Sequence, residues 1–338
     1  MHSKSLKCVL LALAAGGFAS LAQAGSIDAI EAFGDSLSDV GNIFNLTGGA
    51  SPASPYVGGQ FSNGNVWVQD LALDLGLSPL TPSRLGGTDY AYGSAQSGVT
   101  PFYSTPSLVD LTGTTGQIAQ FAAANPGGAD PNALYTIWIG ANDLNAIPAG
   151  TPGPEIGADI GAIVLNIDSA IGTLAGMGAK NFLVVDVPDL GKTPDAIATG
   201  PLGVAAASGV SAAFNNVLIN GSTPVPSLAA LAAGAGIDIS LLDSYGLLDE
   251  ITSDPAAYGL NDVTDPCLTG ESNFAGGTPC ATPDTYLFWD GDHPTAAGQA
   301  LVAYSALEIV TPEPASFLLS GIGLGGLLLL RRRYCGSR

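Results

Sequence analysis

The stretch IDAIEAFGDSLSDVGN, residues 27–42, contains the unit from which the rest of the fold can be predicted. Its first half, Ile27–Gly34, is a short apolar run of the length expected for a buried strand, and a polar, turn-forming segment starts at Asp35. Similar runs recur along the chain. Four more strands are predicted, a short one at Asp89–Gly93 and longer ones at Leu134–Gly140, Asn181–Val187 and Ile237–Asp243.

Helical patterns separate these strands. The clearest has apolar residues at steps of three and four from Ile156 to Leu174, which predicts one buried helix face. Further helices are predicted near Val66–Leu75, Gly116–Ala124, Ser208–Ile219 and Ala296–Ile309. Strand–helix alternation predicts an α/β fold with a parallel sheet of about five strands and helices on both faces. Ligands of such sheets bind beyond the carboxyl ends of the strands.

The first 24 residues are typical of a secretory signal peptide. Lys4 and Lys7 precede a short apolar core, and AQA at Ala22–Ala24 matches the small-x-small cleavage pattern. A buried N-terminal helix is the weaker alternative. Cleavage by signal peptidase would remove His2 and leave His293 as the remaining imidazole of the exported protein.

The C-terminal end has three parts: Pro-Glu-Pro at residues 312–314, an apolar segment at Ala315–Leu330, and the arginine cluster Arg331–Arg333. The apolar segment has 16 residues, fewer than the ~20 that usually span a bilayer, although a simple membrane anchor is the alternative. The layout resembles the PEP-CTERM sorting signal of Gram-negative bacteria. That resemblance implies transient inner-membrane engagement, cleavage by an exosortase-like protease, and a final location outside the cell or on its surface.

A single large α/β domain, residues 25–311, is therefore expected between a leader at 1–24 and a tail at 312–338. Between the leader and the apolar segment, three basic residues (Arg84, Lys180 and Lys192) face all 29 acidic residues, a formal net charge of −26. Such a surface repels phosphate backbones, which argues against nucleic-acid binding. Cys267 and Cys280 form an even pair in an exported chain, which favours a disulfide. No second cysteine pair or histidine cluster accompanies them, so neither a metal site nor a cofactor is expected.

Polar residues follow the predicted strands and would meet at one edge of the sheet. Ser36 follows the first strand, Gly93 and Ser94 end the short one, and Asn142 follows the strand at 134–140. Each alone is most simply a cap or a turn residue. Together with His293 they are the components of a nucleophilic site, because a serine needs a base to take its proton.

The base would be His293, and it needs a carboxylate on Nδ1 to fix its tautomer. Asp290, three residues earlier, is favoured over the adjacent Asp292, whose side chain is expected to diverge. Donors to an oxyanion would be the N–H of Ser36, the N–H of Gly93 with Ser94 as its competitor, and the amide of Asn142. The G-x-S-x-G elbow of α/β-hydrolases is absent, because Ser38 stands where its second glycine belongs.

These residues resemble the GDSL, or SGNH, esterases and lipases. The matching blocks are FGDSLSDVGN (33–42), VVDVPDLGKTPD (184–195), SAAFNNVL (211–218) and FWDGDHPT (288–295). The resemblance implies a flavodoxin-like three-layer fold and metal-free ester hydrolysis through an acyl-enzyme. It assigns Ser36 as nucleophile, His293 as base, Asp290 as its partner and Asn142 as oxyanion donor. Many members have two glycines where this chain has Gly93–Ser94, so the backbone donor there stays open.

The expected substrate is a lipid ester, a short acyl ester or an acetylated polysaccharide. An acyltransferase would use the same catalytic residues, since the acyl-enzyme can pass its acyl group to an alcohol instead of water. A surface or matrix protein that uses the fold as an inactive scaffold is the alternative from another class. Retention of Ser36, Asn142, Asp290 and His293 argues against it.

Overall fold

The computed structural model describes residues 27–99 and 112–311, so the predicted leader and sorting tail lie outside the described residues. Its centre is a parallel sheet of four strands in the spatial order β1 to β4. Each strand has five residues: β1 Ile30–Gly34, β2 Leu134–Trp138, β3 Asn181–Val185 and β4 Asp238–Leu242. All four were predicted from the apolar runs, within three residues at each end.

The predicted fifth strand at Asp89–Gly93 is wrong as a strand. Residues 88–92 do run parallel to β1, and the N–H groups of Tyr90 and Tyr92 donate to carbonyls of β1. However, a bridge forms at Ala32–Asp89 alone, because the N–H of Gly34, which the next bridge would need, donates instead to Gln117 Oε1 (2.9 Å). With this segment beside β1, the order of chain segments still matches the flavodoxin-like arrangement, whose ligand site lies at the β1–β2 boundary.

Helices cover both faces of the sheet, as predicted. They are α1 Asn42–Leu46, α2 Trp67–Asp74, α3 Thr114–Ala124, α4 Ala141–Asn145, α5 Gly153–Met177, α6 Pro194–Ala198, α7 Pro201–Asn220, α8 Leu228–Ala235, α9 Ser244–Ser253 and α10 Ala296–Val310. One core contains side chains of α3, α5, α7 and α8, and the opposite core contains side chains of α2 and α10. The resulting layers are helix, sheet, helix.

Strand alternation explains why there are two cores. Successive side chains of a strand point to opposite faces, so Phe33 packs in the core of α3 and α5, while Ile30 and Ala32 pack in the core of α2 and α10. The apolar face of α5 lies against the sheet as its periodicity predicts, and Ile171 and Leu174 are fully buried.

A smaller region follows β4 and leads to the end of the domain. Strand β5 Asp262–Pro266 pairs with β8 Tyr286–Phe288, and between them the short strands β6 Leu268–Thr269 and β7 Thr278–Pro279 form a hairpin. Cys267 and Cys280 are joined in the structure by the disulfide expected from the sequence, with an S–S distance of 2.05 Å. Short 3-10 turns lie at Ser83–Leu85, Leu190–Lys192, Pro255–Tyr258 and Pro283–Thr285.

Two of the described helices, α5 and α7, are long and apolar enough to cross a membrane by length and composition, with a mean hydropathy of 1.5 each. This is weak evidence, because the core helices of soluble proteins pass the same test. Both helices contribute buried side chains to the core on one face of the sheet.

Candidate active site

Ser36, His293 and Asp290 form a continuous hydrogen-bonded chain beyond the carboxyl end of β1. Ser36 Oγ lies 2.8 Å from His293 Nε2, and His293 Nδ1 lies 2.9 and 2.8 Å from the two carboxylate oxygens of Asp290. All three side chains are buried. The structure thus brings together residues separated by 257 positions in the sequence, in the arrangement that allows a serine hydroxyl to lose its proton.

The local backbone holds Ser36 and His293 in place. The carbonyl of Asp35 accepts the N–H groups of Ser38 and Asp39 (3.1 and 3.0 Å), which closes a tight turn around Ser36. At the other end of the chain, Asp290 Oδ1 accepts the N–H groups of Asp292 and His293 (3.1 and 2.8 Å). The segment from 290 to 293 therefore wraps around the Asp290 carboxylate, as the three-residue spacing suggested.

Tyr56 is a member of this site that the sequence did not reveal. Its hydroxyl donates to Asp290 Oδ2 at 2.7 Å, and the ring is buried with edge contacts to Phe61, Phe274 and Trp289. Tyr56 lies 234 positions from Asp290, in a loop rich in serine, proline and glycine. No local pattern marks such a residue.

The expectation that the side chain of Asp292 points away from the imidazole is wrong. Its Oδ1 lies 3.0 Å from His293 Nδ1, so two carboxylates face the same ring nitrogen. Asp290 is the better-held partner, because its side chain is 3% exposed against 42% for Asp292, and Tyr56 and two backbone N–H groups fix its orientation.

Burial and charge act in opposite directions on the imidazole of His293. Burial by itself lowers the pKa of an imidazole, but the charges of Asp290 and Asp292 outweigh burial and hold the pKa of His293 well above its usual value. Burial likewise opposes ionisation of Asp290, and the neighbouring His293 outweighs it and lowers the pKa of that carboxyl. Phe61 and Phe274 contact each other and the imidazole, at centroid distances from the imidazole of 5.2 and 5.6 Å.

Backbone hydrogen bonds distinguish the two candidate oxyanion donors, the N–H groups of Gly93 and Ser94. The N–H of Gly93 donates to Asp39 Oδ2 at 2.8 Å and is therefore already used. The N–H of Ser94 makes no hydrogen bond to any other described residue, and the same holds for the N–H of Ser36. Ser94 has φ 63°, in the left-handed region where glycine is usual. The backbone at this position thus has a conformation that suits the second glycine found in many GDSL proteins.

Asn142 lies in the first turn of α4, after β2, and its side chain lines the same cleft as Ser36 and Ser94. Asn142 Nδ2 donates one hydrogen to the carbonyl of Ala95 at 3.0 Å, which leaves its second hydrogen for a ligand. The next residue, Asp143, accepts the N–H and hydroxyl of Ser97 at 2.9 and 2.8 Å and anchors this turn. Burial raises the pKa of Asp143 to about 6, against the lowering effect of those hydrogen bonds.

The remaining residues of the block SDVGN are structural. Asp39 Oδ2 accepts the N–H groups of Ile43 and Gly93, and Asn42 donates from its amide to the carboxylate and the carbonyl of Asp89. Burial raises the pKa of Asp39 to about 6, and burial together with the nearby Asp39 raises that of Asp89 well above its usual value. This network ties the turn after β1 to residues 89–93 and so sets the position of Ser94 relative to Ser36.

A cleft of about 1430 Å³ opens beside Ser36. Two groups among its lining residues differ in chemistry. The polar group, here called the triad wall, includes Ser36, Asp195, Glu271, Asp290, Asp292 and His293; the aliphatic group, here called the helical wall, includes Ile147, Ile156, Leu190, Ala207 and Val210. Asp195 is joined to the triad loop through its N–H, which donates to the carbonyl of Gly291 at 2.9 Å.

Among the described residues, Asp290, Asp292 and His293 bring possible metal ligands within 4.8 Å of one another. The ligand atoms of Asp290 and His293 are already committed to other partners. Tyr56 and two backbone N–H groups occupy the oxygens of Asp290, and Ser36 faces Nε2 of the imidazole. The donor set therefore fits a hydrogen-bonded triad better than a metal centre.

The model of the GDSL-like lipase/acylhydrolase family matches residues 30–306, which includes Ser36, Asn142, Asp290 and His293. The chain belongs to this family. The GDSL resemblance of the sequence is thereby confirmed, and its relatives support a carboxylic ester hydrolase of the esterase/lipase type as the enzyme class.

Two bacterial relatives of this GDSL family chain are about equally similar to it. The thermolabile hemolysin of Vibrio parahaemolyticus is 29% identical over 300 residues, which cover 85% of this chain and 64% of the hemolysin. The phosphatidylcholine-sterol acyltransferase of Aeromonas hydrophila is 30% identical over 291 residues, which cover 85% of this chain and 80% of the acyltransferase. The chain thus spans somewhat less than two thirds of the hemolysin.

A plant relative extends the likeness. A GDSL esterase/lipase of Arabidopsis thaliana is 27% identical over 314 residues, which cover 80% of this chain and 84% of that protein.

Proposed function

We propose that the protein is a serine ester hydrolase that cleaves carboxylic esters through an acyl-enzyme on Ser36. The observation that carries this proposal is the chain of short hydrogen bonds from Ser36 through His293 to Asp290 at the edge of a large cleft. A buried serine, imidazole and carboxylate in this order are the parts of a nucleophile and its base.

In the first half of the reaction, Ser36 Oγ attacks the ester carbonyl carbon while His293 Nε2 takes the hydroxyl proton. Asp290 accepts the hydrogen bond from Nδ1–H and stabilises the imidazolium. Collapse of the tetrahedral intermediate breaks the bond to the leaving alcohol, which receives the proton from His293. Water then attacks the acyl-enzyme with the same base, which releases the free acid and restores Ser36.

The negative charge on the carbonyl oxygen needs donors during both halves. The candidates are the N–H of Ser36, the N–H of Ser94 and Nδ2 of Asn142. We place Ser94 ahead of Gly93 here, because the N–H of Gly93 is held by Asp39. Ser94 has a left-handed backbone conformation, which is strained for a residue other than glycine. Strain of this kind is typical of residues held in place at functional sites.

The apolar helical wall favours an acyl chain over a sugar ring as the group held next to Ser36. Ile147, Ile156 and Val210 present no hydrogen-bonding atoms in their side chains, whereas a polysaccharide ester would need polar partners along its hydroxyls. The name of the Aeromonas relative, a phosphatidylcholine-sterol acyltransferase, agrees with a lipid ester.

Acyl transfer is the second candidate function, and the Aeromonas relative favours it. The same acyl-enzyme would then pass its acyl group to an alcohol. Product analysis after addition of a sterol or a simple alcohol separates the two functions: an accumulating new ester indicates a transferase, and free acid alone indicates a hydrolase.

Export of the protein belongs to the same proposal. The leader at 1–24 would direct secretion, and the tail at 312–338 would direct sorting and cleavage. A disulfide is typical of an oxidising compartment, which agrees with export. The intact mass of the protein recovered from its native host tests this: a chain that still contains Met1 and Arg338 contradicts both cleavages.

The decisive experiment compares Ser36→Ala with the unaltered protein on p-nitrophenyl acetate, butyrate and a long-chain ester. We expect kcat to fall by roughly 10⁴- to 10⁶-fold, because loss of a triad nucleophile has effects of that size. Ser253→Ala, at an exposed serine of α9, is the matched control and should retain full activity. Equal turnover by Ser36→Ala and the unaltered protein would overturn the proposal.

A further inference from the structure

The segment from Ala196 to Ile237 has no charged side chain over 42 consecutive residues, in a chain with 9 basic and 29 acidic residues. It contains most of α6, all of α7 and all of α8. Because the formal net charge of the chain is −20, a surface made from this segment differs in electrostatic character from the rest of the protein.

Much of this segment is at the surface. One side of α7 is fixed to the sheet core through Phe214 and Leu218, which are 0% and 1% exposed. The other side of α7 is exposed to solvent. The helix is apolar, with a mean hydropathy of 1.5, yet only 22% of its most apolar 18 residues are buried. Leu202 is 88% exposed and Ile197 is 39% exposed, so two large apolar side chains face solvent at the start of the segment.

This surface borders the cleft. Residues on the inner side of the turn from α6 to α7 line the cleft beside Ser36, and they are Ala196, Thr199, Gly203 and Ala206. Leu202 and Ile197 are not among the residues that line it. Residues 196–210, here called the α6–α7 corner, therefore join the helical wall to an exposed, uncharged rim.

We propose that the α6–α7 corner is the surface with which the enzyme docks on a neutral lipid surface, such as a zwitterionic bilayer or micelle. The inference rests on the proposed function and names the physical form of its substrate. An uncharged rim loses no hydrated charge when it enters the headgroup region, and Leu202 and Ile197 would bury apolar surface there. The acidic remainder of the protein repels anionic lipid and so orients the corner toward a neutral surface.

Docking at this position would place the cleft opening against the lipid. An acyl chain could then move from the lipid surface along Ala206 and Val210 to Ser36 without crossing water. A lipid surface also fits the corner better than a protein partner does. Protein interfaces rely on aromatic residues, methionine and arginine, and residues 196–210 contain none of these.

The test compares two substrates in the full chain: a soluble short-chain p-nitrophenyl ester, and a long-chain p-nitrophenyl ester carried in phosphatidylcholine vesicles. In the double variant Ile197→Asp/Leu202→Asp, hydrolysis of the soluble ester should stay within about twofold, while hydrolysis in vesicles should fall by about tenfold, since two inserted apolar side chains are replaced by charges. Replacing part of the zwitterionic lipid by anionic lipid should also reduce hydrolysis by the unaltered protein.

The matched control is Leu85→Asp/Tyr304→Asp, which places charges at two exposed apolar residues, 68% and 59% exposed, that do not line the cleft. It should behave as the unaltered protein with both substrates. Vesicle flotation at limiting lipid is measured in parallel, so that docking is decided even if neither ester is hydrolysed, which by itself would count against the proposed function.

Three results would overturn the docking surface. One is equal loss on both esters in the 197/202 variant, which would make the corner part of the cleft structure. Another is unchanged hydrolysis in vesicles together with unchanged flotation. The third is a change of oligomeric state by light scattering in that variant, which would assign the corner to a second copy of the chain.

Discussion

The triad wall and the helical wall border the same cleft but are built by different forces. The catalytic residues of the triad wall lie in short loops that follow strands, where the buried carboxylate of Asp290 accepts the backbone N–H groups of Asp292 and His293. The helical wall contains aliphatic side chains from four separate segments, and α7 brings no charge to it. Hydrogen bonds fix the positions of individual atoms in the triad wall, whereas aliphatic packing in the helical wall sets the volume that a substrate can occupy.

We expect the triad wall to control the chemical step and the helical wall to control which acyl group binds. On the triad wall a small displacement of one atom changes the chemical step, because catalysis depends on distances near 3 Å. On the helical wall a substitution changes which acyl group fits and leaves the chemical step alone. Substitutions on the two walls should therefore separate kcat from substrate choice.

The largest effect after loss of the nucleophile is expected at Asn142, which lies in α4 and lines the same cleft as Ser36. Asn142→Ala removes a side-chain donor to the oxyanion, and kcat should fall about 10²- to 10³-fold on every ester, with little change in KM. Asn216→Ala, at an exposed asparagine of α7, is the control. A loss restricted to long-chain esters would instead assign Asn142 to substrate fit and break the comparison.

Tyr56→Phe tests whether the triad wall depends on positioning as well as on chemistry. Loss of one hydrogen bond to a charged group should reduce kcat/KM by about tenfold. Tyr56 is also one of the groups that lower the pKa of Asp290. Without it the carboxylate becomes a stronger acceptor and stabilises the imidazolium further, so the pKa of His293 rises. Because the working base is neutral imidazole, the acidic limb of the pH–rate profile should move to higher pH.

A purely structural role of Tyr56 would lower the melting temperature and leave that limb in place. Tyr304→Phe, at a tyrosine that is 59% exposed on α10, serves as the matched control. It should change neither the rate nor the profile.

Val210→Trp tests the helical wall. The larger ring would fill part of the cleft that Val210 and Ser36 both line. The ratio of kcat/KM for a long-chain ester to that for the acetate should therefore fall several-fold, while acetate turnover changes little. Ala212→Trp, on the exposed side of the same helix, should leave the ratio unchanged. Equal loss on all chain lengths would show that the two walls are not independent.

The smallest predicted effect concerns stability, and it arises from buried carboxylates in the turns after β1 and β2. Burial raises the pKa of Asp35 to about 7, and those of Asp39 and Asp143 to about 6. In the unfolded chain these groups ionise near pH 4. Between these values the folded state binds more protons, so the stabilisation is complete below about pH 4 and is lost as the pH rises through 6 to 7. Asp290, with a lowered pKa, acts in the opposite sense at low pH.

The melting temperature should therefore be a few degrees higher near pH 5 than near pH 8 at equal ionic strength. Asp143→Asn should flatten this slope, whereas Asp74→Asn, at an exposed acid of α2, should not. A melting temperature that rises from pH 5 to pH 8 would contradict the raised pKa values of Asp35, Asp39 and Asp143.

The four strands and the long helices were predictable because each buries a continuous apolar pattern that is local in the sequence. The fifth strand was not, since whether residues 88–92 pair fully depends on Gln117, which takes the N–H of Gly34 from α3. Ser36, Asp290 and His293 were predictable from their places after strands and from their spacing. Tyr56 and the conformation of Ser94 were not, because a contact across 234 residues and a backbone angle leave no local pattern.

The scarcity of histidine has a consequence for spectroscopy. The chain contains two imidazoles, His2 and His293. His293 is held between Ser36 Oγ and two carboxylates, and the rings of Phe61 and Phe274 pack against it. Ring-current fields from Phe61 and Phe274 should move its carbon-bound proton resonances away from those of His2. A nuclear magnetic resonance titration of the whole protein can thus follow the protonation of one catalytic group without isotope labelling of selected residues, and the same signal reports when an acyl group occupies Ser36.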